Sequence, residues 1–445
     1  MRKLERTLRP RDMTLLVIGL VIGSGIFIVP ATVLRQTGGH AGLALLVWFL
    51  AGVLSLLGAL TYGELGAMNP EAGGLYVYVR DAFGRFAAFL FGWTLFFVIA
   101  GGSNAALAVA FSSYASQVVA LSPIAAKVVA IAMLIVLTIV NVLGTRRSVT
   151  MQNWTTGLKI GALLLMSAAL LVGAPPAAAD VPAFPPEFSL SVLSAMGAAM
   201  IGVLWAYEGW QWATFSAGET VSPQRTFPLG MALGTGALVL LYCFANIGYV
   251  SALGAERAMA SEGIAAEAVA AVYGSGAGRL LALGILVAIF SASNATLLTA
   301  PRVFYAMARD GVFFRSLAHV DPRFGTPALA IVAGSVWSMV LALSGTFDQL
   351  LTYVVFMGWV FYALGAASIF VYRRKQPDAE RPFRVPGYPI TPLLFVAAAS
   401  AIVVNALFAR PLEALIGIGV VLLGAPAYLI WRRRAPEPTM AGERA

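Results

Sequence analysis

The stretch Gly23-Ser24-Gly25-Ile26-Phe27, followed by Pro30, lies in the middle of an apolar run that extends from Met13 to Gln36. A helix in lipid has to satisfy its own N–H and C=O groups. Unwound backbone at that depth is tolerated only where it packs in protein or lines a cavity. Two glycines bracketing a serine allow the helix to open. The freed N–H groups, together with the positive end of the half-helix that follows, then form a site for a carboxylate. Small residues along a span can also serve merely to admit a neighbouring helix, so this stretch alone does not decide between the two.

A second interruption tips the balance. Trp205-Ala206-Tyr207-Glu208-Gly209-Trp210 places a glutamate among apolar neighbours near the middle of another span, and an ionisable group at that depth is a functional hypothesis by default. Interruptions at equivalent places in two halves mark the central site of a transporter built from inverted repeats. The expected fold is therefore an all-α membrane protein. Residues 13–174 form a first repeat of five spans, 189–374 its inverted copy, and 388–431 two appended spans, with cytoplasmic segments at 1–12 and 432–445. Opened helices offer N–H groups to an anion and carbonyls to an ammonium, a combination that suits the zwitterionic backbone of an amino acid.

Composition agrees with lipid. Of 445 residues, 60% are hydrophobic and 11% charged, against about 25% charged in soluble domains. Charge-free runs predict twelve spans, near 13–36, 41–68, 86–119, 124–145, 150–173, 190–218, 227–253, 277–308, 327–345, 348–372, 388–408 and 412–431. With both termini in the cytoplasm, 23 of the 29 Lys and Arg residues fall on the inner side and five on the outer, while Lys159 sits within a span. That asymmetry is a positive-inside signal and accounts for the net charge of +9 without nucleic acid. The basic start before an apolar run resembles a signal peptide, but the run continues past Pro30 without an Ala-x-Ala site, so an uncleaved first span is expected. The single cysteine, Cys243, excludes intrachain disulfides. His40 and His319 fall in expected loops and are too few for multi-histidine metal chemistry. No nucleophile–base pair supports an enzyme, and no metal or other cofactor is expected. Channels usually assemble several shorter subunits around a pore, which paired broken helices in one chain fit poorly.

The motifs resemble those of the amino acid–polyamine–organocation (APC) superfamily, and within it the L-type amino acid transporter branch. Gly23–Phe27 with Pro30 is similar to its first-span motif. Tyr62-Gly63-Glu64-Leu65 and Pro70-Glu71-Ala72-Gly73-Gly74 resemble its second span and following loop, and Trp205–Trp210 its sixth span. Glu219 before Pro223-Gln224-Arg225, Asn294 before Arg302–Gly311, and Arg381-Pro382-Phe383-Arg384-Val385-Pro386 continue the series in order. The resemblance implies a LeuT-like fold and alternating access in the cell membrane. It also implies a substrate site made by Val21, Ile22, Gly23, Ser24, Gly25 and Ile26 with Trp205, Ala206, Tyr207, Glu208 and Gly209. The carboxylate would meet the backbone of Ser24, Gly25 and Ile26, and the ammonium the carbonyls near Val21, Ile22, Trp205 and Ala206. Trp205 would close over the site.

Glu208 departs from relatives that carry glycine or aspartate there, and reads either as a group acting on the substrate amine or a proton, or as a structural acceptor. Glu64 and Glu219 are expected in ion pairs with loop arginines, and Phe290, Phe356 and Trp359 could line the pocket. By the resemblance, Lys159 takes the place of the ion that sodium-driven relatives hold, bridging the backbone near Gly23 to Ser291 or Ser293. The implied activity is sodium-independent exchange or facilitated movement of neutral amino acids. The alternatives are proton-coupled uptake and cationic amino acids or polyamines. Relatives linked to a heavy chain use a cysteine between the third and fourth spans; Val118–Pro123 has none, so no covalent protein partner is expected.

If Trp205 closes the site, Trp205→Ala lowers turnover in liposome uptake more than it lowers equilibrium substrate binding. Unchanged turnover would reduce the ring to packing.

Overall fold

The computed structural model describes residues 4–173, 181–344, 347–409 and 411–432. Part of what the sequence reading assigned to the termini and to the end of the first repeat, namely 1–3, 174 and 433–445, lies outside the described residues. The chain is helical: α1 Pro10–Val21, α2 Gly25–Gln36, α3 Ala41–Met68, α4 Leu75–Phe83, α5 Arg85–Thr94, a π-helical stretch Leu95–Ala100, α6 Gly101–Val118, α7 Pro123–Val142 and α8 Thr145–Gly173. It continues with α9 Leu190–Ala206, a 3₁₀ segment Trp210–Glu219, α10 Pro223–Ala260, α11 Ile264–Tyr273, α12 Ser275–Thr299 and α13 Pro301–Arg309. A 3₁₀ turn Arg315–Ala318 precedes α14 Ala328–Ser344, α15 Phe347–Lys375, α16 Ile390–Ala409 and α17 Pro411–Arg432.

Local chemistry sets many of these ends. Proline stands in the first turn of α1, α7, α10 and α13, where its missing N–H costs nothing and its φ is already helical. Ser122 and Ser189 cap α7 and α9, accepting from the N–H of Ala125 at 3.2 Å and of Val192 at 3.4 Å; such caps satisfy one orphan donor each.

Among the described residues nine helical stretches are long and apolar enough to cross a membrane, and ten when the bent pair α1–α2 is taken as one span. Ala328–Ser344 and Ile390–Asn405 are further apolar helical stretches, shorter within the described residues. Short helices α4 and α11 occupy regions that sequence alone assigned to loops, and α13 covers the end of the expected span 277–308.

The bundle centres on α1, α10 and α3, with α8, α12 and α6 around them. Buried charges cluster at the end where the basic residues collect. Arg302 donates to Glu219 at 2.6 and 3.2 Å and to Thr145 Oγ1 at 3.0 Å, with both charged side chains at most 2% exposed. The Glu219 carbonyl accepts from the N–H of Thr7 and Leu8 at 2.8 and 2.9 Å, tying the N-terminal segment to the same point. Glu64, fully buried, accepts from Arg373 at 2.9 and 2.7 Å and from the Val385 N–H at 2.6 Å, with Arg381 at 3.6 Å. Both glutamates thus have the arginine partners expected of them. On α4, outside the spans, the Tyr76 hydroxyl donates to Asp310 at 2.9 Å; burial, and then the Asp310 charge, push its pKa well up.

Removing one member of a buried ion pair strands the other charge, at a cost of about 3–5 kcal/mol. Arg302→Met should therefore lower the thermal midpoint of the detergent-purified protein, and adding Glu219→Leu should recover much of the loss. A single variant that melts like the wild type would contradict this weight on the pair.

Candidate functional site

The first break lies between α1 and α2, whose axes differ by 50°. Ile22 leaves the helix at φ −69°, ψ 93°, and its N–H makes the last bond of α1, to the Ile18 carbonyl at 2.9 Å. The N–H groups of Gly23, Ser24, Gly25 and Ile26 have no backbone acceptor among the described residues; helical bonding resumes with the Phe27 N–H on the Ser24 carbonyl. Four free donors at the start of a 12-residue helix are the elements of an anion site.

The second break follows α9. Tyr207 and Glu208 lead to Gly209 at φ 129°, a conformation that L side chains rarely adopt, and the chain continues as 3₁₀ helix. The two breaks are seated on one another. A Cβ on Gly209 would stand 2.6 Å from the Leu20 carbonyl oxygen, and one on Gly25 would stand 2.9 Å from Ala206 Cα and Cβ. Each glycine faces the opposite break, so both are required by close approach, and Gly209 by its backbone conformation as well.

A cavity of about 100 Å³ opens beside the paired breaks. The first break contributes Val21, Gly23, Ser24 and Gly25; the second contributes Trp205, Ala206, Glu208 and Gly209. Ile22, Ile26 and Tyr207, expected in the site, do not form its wall. Ile22 and Ile26 are fully buried, and the Tyr207 ring packs against Trp48 and Tyr242 at centroid distances of 6.0 and 5.0 Å. Phe290, Phe356 and Trp359 are also absent from the wall. Phe290 packs on Phe111, and Trp359 on Tyr362 and Phe395. The positions that sequence reasoning missed are Leu20 on α1, Ser103, Ala106 and Leu107 on α6, Trp212 beyond the second break, Ala292 and Thr296 on α12 and Val354 on α15. Most are small or ordinary residues in long apolar runs, where no sequence signal marks them.

One oxygen of Glu208 accepts from the Tyr362 hydroxyl at 2.8 Å, and that hydroxyl accepts from Trp212 Nε1 at 3.2 Å. The second oxygen, Oε2, is buried without a hydrogen-bond partner. Lys159, 4% exposed, donates from Nζ to the carbonyls of Gly19 at 2.9 Å and Ile22 at 2.8 Å, and to that of Ala288 at 3.5 Å. Three ammonium protons thus meet three carbonyl oxygens, two at the end of α1 and one on α12. The expected partners on α12 are corrected here. Ser291 accepts from Gln152 and Thr155 at 3.1 and 2.9 Å, and Ser293 donates to Asn104 at 2.9 Å. Those hydroxyls are occupied by α8 and α6, and the ammonium reaches the carbonyl one turn earlier. His40 is partly exposed and His319 exposed. Among the described residues no group of three or more His, Cys, Asp or Glu gathers to hold a metal.

Residues 8–419 match the family described as amino acid permease. The chain belongs to that family. It is an amino acid transporter of the APC superfamily and not an enzyme. The permease is 31% identical to the serine/threonine exchanger SteT of Bacillus subtilis (strain 168), over 94% of this chain and 95% of that one. It is 30% identical to the cystine/glutamate transporter of Homo sapiens, over 97% of this chain and 87% of the other, and 30% identical to the large neutral amino acids transporter small subunit 2 of Rattus norvegicus, over 93% and 78%.

Gly209→Ala should abolish uptake while the protein still inserts and purifies, because the added methyl meets the Leu20 carbonyl at a positive φ. Gly25→Val should do the same through Ala206. Wild-type uptake by either variant would show that the breaks do not need this contact.

Proposed function

We propose that the permease carries neutral amino acids across the cell membrane without sodium, as an exchanger or facilitator working by alternating access. In this reading both termini are cytoplasmic. Twelve spans form two inverted repeats of five, 13–174 and 189–374, with 388–431 appended, and lipid surrounds the bundle without a covalently attached protein partner. The substrate carboxylate binds the free N–H groups of Ser24, Gly25 and Ile26, and the ammonium binds carbonyls at the ends of α1 and α9. Ser103, Ala106, Leu107 and Thr296 give the side chain a small, mostly neutral space. Exchange is supported by the likeness to the serine/threonine exchanger.

Lys159 carries the sodium-independent reading. Its Nζ occupies the gap between the end of α1 and α12 and uses the carbonyls of Gly19, Ile22 and Ala288. A fixed ammonium there supplies the positive charge that a bound cation would otherwise bring, and it takes the oxygens such a cation would need. An intramembrane lysine facing the bundle and meeting carbonyls also follows the general rule for buried charges in lipid.

Glu208 favours a second reading. Its unpartnered Oε2 in a cavity-lining carboxyl group would accept a hydrogen bond from a cationic side chain or take a proton, so cationic substrates or proton-coupled uptake remain the alternative.

Purified protein in liposomes should take up labelled neutral amino acids equally in sodium and choline buffers, faster with amino acid inside. Lys159→Ala should lose most of that uptake, because α1 loses its tether to α8 and α12. Strict dependence on sodium, or full activity of Lys159→Ala, would overturn the reading. Competition by cationic amino acids alone, lost in Glu208→Gln, would install the alternative.

A further inference from the structure

A second cavity, of about 620 Å³, lies at the end of the bundle where the basic residues collect, and the proposed transport does not use it. Its volume falls in the range of about 300–1,000 Å³ usual for ligand sites. The wall is made by Thr145, Arg146 and Arg147 at the start of α8, by Arg323 before α14, and by Glu5 and Glu219. Positive charge prevails there. Glu219 is answered by Arg302, so three arginines of the wall stand against Glu5. Arg146 reaches Asp12 only at 3.5 Å, and the Arg323 guanidinium lies over the Phe324 ring at 5.2 Å. Arg147 is exposed and has no ion-pair partner among the described residues. Directional donors add to the charge. The N–H groups of Arg147 and Ser148 close on the Gly144 carbonyl at 3.1 and 3.2 Å, whereas those of Thr145 and Arg146 have no backbone acceptor among the described residues. They sit at the positive end of a 29-residue helix. Behind the wall, Arg302 holds Glu219 and Thr145 with Nε and Nη2, while its Nη1 is buried with no partner, a costly state for a charged group unless an acceptor is at hand.

We propose that this cavity binds the phosphate of an anionic lipid headgroup, with Arg147 and Arg323 as its charged clamps and the Thr145 and Arg146 N–H groups beneath it. The donor set is that of a phosphate site: guanidinium forks bond its oxygens in pairs, and a helix N-terminus favours the same charge. Lipid as the source follows from the course of α8. Arg147, Trp154, Leu158 and Leu165 are exposed and recur at intervals of seven and four, so they share one face of the helix. Past the arginine that face is apolar and looks into hydrocarbon, and Trp154 stands where indole rings mark the interface. At 29 residues, α8 is about 44 Å long, more than a hydrocarbon core of about 30 Å, so its first turn reaches the headgroups. Basic pockets between spans at this level bind anionic headgroups. A lipid whose chains lie along the apolar face of α8 brings its phosphate to Arg147, and Arg323 closes on it from across the cavity. The proposal does not depend on which amino acid is carried.

The test titrates the detergent-purified full chain with fluorescent phosphatidylglycerol and, separately, with phosphatidylcholine carrying the same acyl chains. Phosphatidylglycerol should bind saturably and more tightly, and its advantage should shrink as salt is raised. Arg147→Gln should weaken it roughly tenfold, the scale of one hydrogen bond to a charged group, and Arg147→Lys by less. Arg147→Gln combined with Arg323→Gln should abolish the preference between the two lipids. Arg374→Gln removes a charge from the end of α15, outside the cavity wall, and should bind both lipids as the wild type does. All three positions are exposed, so these variants keep their fold. A wild-type protein without preference, a double variant that keeps it, or an equal loss in Arg374→Gln would overturn the site. Displacement of phosphatidylglycerol by glycerol 3-phosphate at no higher concentration than the lipid would overturn the lipid as occupant in favour of a soluble phosphate.

Discussion

Backbone that leaves a helix inside a membrane has no water to bond, and every freed N–H and C=O has to find a partner in protein or in substrate. The rest of the permease is arranged around that constraint at two places, Ile22–Ser24 and Tyr207–Gly209. The breaks sit against one another through Gly25 and Gly209. Lys159 takes two of the carbonyls at the end of α1, and Tyr242 spans Val21 and Ala206. Among the described residues the N–H groups from Gly23 to Ile26 have no backbone acceptor, and in the proposed function the substrate carboxylate meets those of Ser24, Gly25 and Ile26.

The surrounding helices hold this centre from outside. From α8 comes Lys159; Gln152 and Asn294 then join α8 to α12 at 2.9 Å, and Asn141 joins α7 to the same asparagine at 2.9 Å. At the basic end, Arg302 with Glu219 and Arg373 with Glu64 bury charge in paired form. A carbonyl dipole beside an ammonium and a carboxylate beside a guanidinium answer the same requirement in two chemistries. In low dielectric, a group stays polar only if its partner is already in place.

Much of the centre was legible in the chain. Gly23-Ser24-Gly25 and Glu208-Gly209 stand out because each violates what a plain apolar helix needs, and Lys159 because no other Lys or Arg lies so deep in a span. Glu64 and Glu219 were readable because a carboxylate near a span end calls for a basic partner. The cavity wall was not legible. Ser103, Ala106 and Leu107 lie on a helix that is apolar around much of its circumference, so no stripe reveals which face points inward. The same holds for Tyr242 and Trp359, where one aromatic bridges both breaks and the other packs behind the site. Ala288 instead of Ser291 as the acceptor for Lys159 was also hidden, because a backbone carbonyl carries no residue identity.

In the proposed function the two breaks act together as one amino acid site. A cryo-electron microscopy map of the protein in lipid nanodiscs, saturated with a neutral amino acid that it transports, tests this most directly. The predicted result places the substrate carboxylate within hydrogen-bonding distance of the Ser24, Gly25 and Ile26 N–H groups, its amine beside the Val21 and Ala206 carbonyls, and the Lys159 ammonium still between α1 and α12 with no sodium density there. Substrate density elsewhere in the protein, or a cation beside Ala288 with Lys159 turned away, would contradict it.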